Sequence, residues 1–99
     1  MKERKEITLK ELETFMTAKK SVFEATSEER YSMSLDIFCT GVEFGKDCDG
    51  EYMYIVLLSR SAEVQIEVDI VEAVYMETDE SITIEFTENL PGLEIQYKS

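Results

Sequence analysis

The groups in this chain that could do chemistry are abundant in one kind only. There are 22 carboxylates, two cysteines (Cys39 and Cys48) and no histidine. The side chain most often used as a general base near neutral pH is therefore missing, and neither thiol has an imidazole to activate it as a nucleophile. The four glycines stand singly, so no glycine-rich loop offers a row of amides to a phosphate. Carboxylates about 5–9 Å apart would suit glycoside hydrolysis, but among so many acids that spacing arises by chance. The expectation is a protein that is not an enzyme.

One stretch imitates a metal loop. In 45-GKDCDGE-51, Asp47, Asp49 and Glu51 surround Gly50 much as oxygen ligands surround the glycine of a calcium loop. Aligning Gly50 with that glycine places Gly45 where the first acid belongs and Val56 where the bidentate glutamate belongs. The spacing fits a hairpin turn better, with Asp49-Gly50 accepting a left-handed backbone. No metal and no other cofactor is expected. The two cysteines read as reduced thiols, Cys39 in the core and Cys48 in the turn, as in a cytosolic protein.

Charge is what remains. The formal net charge is −12, and it is unevenly spread. Residues 1–30 hold seven acids and seven bases, residues 31–60 five acids and two bases, and residues 61–99 ten acids and Lys98 alone. Such a field repels nucleic-acid phosphates and anionic lipid and attracts basic protein surfaces. The stretch 77-ETDESITIEFTE-88 is typical, with acids flanking a strand pattern and no Lys or Arg inside it.

The elements that must carry these acids follow from periodicity. At 99 residues the chain has room for one domain, 1–99, and 43% hydrophobic residues suffice to build its core. No apolar run is long enough to span a membrane, and MKERKEITL lacks the apolar segment of a secretory signal. Thr8 and Glu11 have the spacing of a capping box, and Leu9, Leu12, Phe15 and Met16 form one stripe. These predict a helix over 9–19 that lays its stripe on the core, with Lys19 and Lys20 in its last turn.

Beyond it the period is 2. Strands are expected at 21–26, 31–39, 42–44, 51–59, 62–70, 81–87 and 93–97, with 70–77 readable either as a strand or as a helical turn. A second helix capped by Ser27 is the alternative for 31–39. The run Tyr54 to Leu58 suggests a central strand covered on both faces, and NLPG (89–92) a type II turn. The expected fold is α+β: one N-terminal helix packed on an antiparallel sheet of five or six strands.

On that sheet the outward positions include Glu63, Glu67 and Asp69 on one strand, Glu85 on another and Glu94 on the last. Glu77, Asp79, Glu80 and Glu88 fall at the adjoining turns. These nine acids are the candidate partner-binding residues. The five tyrosines, Tyr52 and Tyr54 on one face among them, suit either an interface or a core edge.

The functional expectation is a small acidic protein-binding domain whose negative face mimics nucleic acid and blocks a basic surface, such as that of a nucleic-acid-binding enzyme. A phage or mobile-element inhibitor of the anti-CRISPR or anti-restriction type would act in this way. The competing expectation is an accessory or immunity-type domain that binds through tyrosines, methionines or a free strand edge, its charge serving solubility alone.

Overall fold

The computed structural model describes residues 4–19, 22–27, 35–60, 62–87 and 90–97. In chain order the elements are β1 (Lys5–Ile7), α1 (Leu9–Ala18), β2 (Phe23–Ser27), β3 (Leu35–Cys39), β4 (Gly41–Lys46), β5 (Tyr52–Leu58), β6 (Glu63–Glu67), β7 (Val71–Thr78), β8 (Ser81–Phe86) and β9 (Leu93–Tyr97). A 3-10 turn at Val68–Ile70 joins β6 to β7.

The helix begins where the capping box places it. The Thr8 hydroxyl accepts the Glu11 amide at 3.1 Å, and the Glu11 carboxylate accepts the Thr8 amide at 3.0 Å. The Thr8 amide, donating to it, holds the Glu11 carboxyl below its usual value. Leu12 and Met16 are buried and Leu9 and Phe15 pack against the core, so the stripe is a core face. The helix ends at Ala18 with Lys19 as its cap, so no base lies in its last turn. Lys20 lies outside the described residues.

One helix with antiparallel strands is as expected; a single sheet is not. The strands form a six-stranded sheet in the order β1-β7-β8-β9-β2-β3 and a separate three-stranded sheet, β4-β5-β6. Two short crossings connect them. Thr40 alone separates β3 from β4, and its amide donates to the Leu58 carbonyl at 2.8 Å. The second crossing is the 3-10 turn, where the Ile70 carbonyl accepts the Thr87 amide at 2.9 Å. This corrects the strand expected over 62–70. Pairing stops at Glu67, Asp69 sits in the turn, and Ile70 is 37% exposed instead of facing inward.

The inner faces are read from register. On the large sheet Ile7 pairs with Val74, Val74 with Ile84 and Ile84 with Leu93; one row on, Met76 pairs with Ile82, Ile82 with Ile95 and Ile95 with Ala25. On the small sheet Phe44, Ile55 and Ile66 form one inner row and Val42, Leu57 and Val64 the next. Both sheets and the helix contribute to one buried cluster. At the core edge Tyr97 meets Phe15 and Phe23, with ring centroids 5.7 and 5.2 Å apart.

Other local expectations divide. β5 is central, with Ile55, Val56 and Leu57 buried, but Met53 near its start is 50% exposed. Residues 71–78 are a strand. Residues 35–39 are a strand, not part of a helix, and Ser27 lies in β2; 28–34 lie outside the described residues. The unforeseen strand is β1, whose three residues pair with β7. The type II turn at NLPG is not formed as expected: Gly92 lacks the positive φ that turn requires, and Asn89 lies outside the described residues. Gly92 serves close approach instead, since a Cβ there would come within 3.2 Å of the Ile84 carbonyl. No helix among the described residues is long and apolar enough to cross a membrane.

Candidate functional site

The expected acids that the structure describes are divided between the two sheets and their turns. Glu63 and Glu67 lie on β6 of the small sheet, while Glu77, Glu85 and Glu94 lie on β7, β8 and β9 of the large one. Asp69 is in the crossing turn, and Asp79 and Glu80 are in the β7–β8 turn. Glu88 lies outside the described residues.

On the small sheet the outer rows are Glu43–Val56–Gln65, Gly45–Tyr54–Glu67 and Gly41–Leu58–Glu63. Glu43 was missed, although the alternation of Val42, Glu43 and Phe44 places it outward. Neighbouring strands lie about 4.8 Å apart and alternate residues about 6.8 Å. Glu43, Glu63 and Glu67 therefore frame Tyr54 and Val56. The Tyr54 ring lies across Gly45, where a Cβ would collide with it, so the glycine is what allows the ring to lie flat. Gln65 donates to Glu67 at 2.9 Å, and no ion pair among the described residues reaches Glu43, Glu63, Glu67 or Asp69.

The large sheet's outer face is built differently. Its central row runs Glu6–Tyr75–Thr83–Glu94–Thr26. Beside it Arg4 places its guanidinium 4.1 Å from the Tyr75 ring centroid, 2.7 Å from Glu77 and 3.5 Å from Glu85. The Thr83 hydroxyl donates to the same Glu77 oxygen at 2.8 Å. A base thus does answer two acids of 77–88, Glu77 and Glu85. It comes from 73 residues upstream of Glu77, and no local pattern signals a partner at that separation.

A third polar group ties the helix to the small sheet. The Tyr52 hydroxyl donates to Glu13 at 2.6 Å, and Lys46 pairs with the same carboxylate oxygen at 3.1 Å. The bond to Glu13 pushes the Tyr52 phenol up to about 12, while Tyr52 and Lys46 together pull the Glu13 carboxyl down. Four tyrosines are thereby assigned: Tyr52 binds the helix, Tyr54 covers Gly45, Tyr75 underlies Arg4 and Tyr97 is buried. Tyr31 lies outside the described residues.

The β4–β5 loop is a hairpin turn. One Asp47 carboxylate oxygen accepts the amides of Asp49 and Glu51, both at 2.9 Å, and Gly50 has φ 84°. Among the described residues no three His, Cys, Asp or Glu side chains converge as metal ligands. Both cysteines are free; Cys39 is buried, which pushes its thiol up, and Cys48 is exposed. What these surfaces can do is present rigidly spaced carboxylates. No family model matches the chain, and neither a curated protein nor a solved structure matches it.

Proposed function

We propose that this chain is a small non-enzymatic binding protein whose acidic sheet faces dock on a basic protein surface. The observation that carries the reading is the outer face of β4-β5-β6, where Glu43, Glu63 and Glu67 surround an aromatic and aliphatic centre with no cation paired to them among the described residues. Strand pairing holds these carboxylates at fixed separations, so they meet a basic surface without ordering a flexible loop. A surface that normally holds phosphates is a fitting target. The chain would then compete with nucleic acid, in the manner of an anti-CRISPR or anti-restriction inhibitor, associating fast at low salt.

The test is capture of partners on the immobilised chain, followed by affinity measurements across a salt series. The expected partner is basic, is released by salt, loses nucleic acid on binding, and no longer binds a Glu43→Lys, Glu63→Lys, Glu67→Lys variant. An affinity indifferent to both salt and that triple substitution overturns the proposal. A second reading rests on β3, an edge strand among the described residues, and on Phe38, which is 55% exposed there. An accessory domain pairing its partner through that edge would lose binding on Phe38→Ser and not on the charge reversals.

A further inference from the structure

The Arg4 cluster does more than neutralise two acids. A guanidinium is flat, stacks on aromatic faces and donates in its own plane, whereas an ammonium is a compact point charge. Tyr75 supplies the ring face, Glu77 and Glu85 supply oxygens at two of the guanidinium nitrogens, and Thr83 steadies Glu77. All four groups stand on β7 and β8: Tyr75 pairs with Thr83 and Ala73 with Glu85, while Glu77 falls at a register shift between Met76 and Thr78. Strand pairing thus fixes the ring and the Thr83 and Glu85 positions, while Arg4 precedes β1, an edge strand of three residues.

We propose that Tyr75, Glu77, Thr83 and Glu85 form a guanidinium-binding site that Arg4 occupies in cis and that an arginine of the basic partner takes over on docking. The proposal rests on the acidic-face reading above and gives the partner's chemistry: arginine, not lysine, opposite the outer face of the large sheet. The occupant shown is itself the argument for the ligand, because the chain's own guanidinium already satisfies the ring and both carboxylates. Exchange is open. The side chains of Arg4, Glu77 and Glu85 are 43%, 32% and 41% exposed, and contacts that wet are individually weak. Tethering favours Arg4 over a free arginine through its high effective concentration. A partner arginine overcomes this only when the same surface also meets Glu6 and Glu94, which share the central row of that face. Until then Arg4 keeps the site closed to stray cations.

The test compares oligo-arginine and oligo-lysine peptides of equal length, bound to the full chain at low salt. Removing the competitor in Arg4→Ala raises affinity for both peptides, since one positive charge is lost. For oligo-arginine the rise is expected to be about fivefold greater than for oligo-lysine. Tyr75→Leu in the same background should abolish the difference. Arg4→Lys keeps the charge, and with it a folded β1 edge should Arg4→Ala prove unstable; it too should raise the arginine-to-lysine ratio. A ratio that stays at the wild-type value in both variants overturns the inference, because an arginine that only pins β1 would not change it. Failure of either peptide to bind in a salt-sensitive way would instead remove the acidic-face reading beneath it.

Discussion

Tyr52 shows how much one hydroxyl can do. It joins β5 to α1 through Glu13, and a phenol donates that bond only while protonated. Its folded value, about 12, lies above the ordinary 10, so the folded state holds this proton more tightly than the unfolded one. The contribution is complete below pH 10 and is lost as pH rises through about 12. Tyr97 behaves alike for a different reason: burial pushes it to about 12. The melting temperature should therefore fall steeply across this alkaline window. Tyr52→Phe and Tyr97→Phe should each make the fall shallower, as followed by thermal melts alongside phenolate absorbance. A wild-type melting temperature that is flat through the window would contradict both assignments. The sequence marks these residues as tyrosines and no more, since their partners lie in α1, remote along the chain.

At the scale of elements, local signals and tertiary demands part company. The capping box is wholly local, with donor and acceptor three residues apart, and it forms as its spacing predicts. Thr8→Ala should cost about 1 kcal/mol, read as a lower midpoint in denaturant with an unchanged slope. An unaltered midpoint would mean that packing of Leu12 and Met16 alone holds the first turn. The alternation over 62–70 misleads for a physical reason. Val64, Ile66, Val68 and Ile70 keep a period of 2, yet the chain must stop pairing with β5 and begin pairing with β8, and it does so by turning at Val68–Ile70 between β6 and β7. Periodicity reports which side chains are apolar; it does not report the strand to which a backbone pairs. The crossing at Thr40 is equally silent, because one bent residue between two strands leaves no compositional trace.

The molecule as a whole carries its charge of −12 with three ion pairs among the described residues, and these use only Arg4 and Lys46. Acids unpaired with a base face outward on both sheets, so repulsion opposes the compact state. Salt at about 0.1 M shortens the reach of such charges to about 10 Å. Moderate sodium chloride should accordingly raise the melting temperature, and the Glu43→Lys, Glu63→Lys, Glu67→Lys variant should gain less from it than the parent. A melting temperature that falls with salt would mean that the few attractive pairs outweigh the like charges. The same excess is what the proposed binding uses: a basic partner relieves on docking the repulsion that the free chain bears.

By itself the sequence determined the helix and its cap, the antiparallel strand-rich character, the hairpin turn at Gly50 and the acidity of the last two-fifths. Each of these depends on neighbours a few residues apart or on simple totals. Only the tertiary structure decided that the strands divide into two sheets, that Glu63 and Glu67 stand on one and Glu77, Glu85 and Glu94 on the other, and that Arg4 sits on Tyr75 between Glu77 and Glu85. Those outcomes depend on which strands pair, and pairing is chosen by burying Ile55, Leu57, Ile82, Ile84 and Ile95 together in one core. A charge pattern along a chain becomes a surface only after that choice has been made.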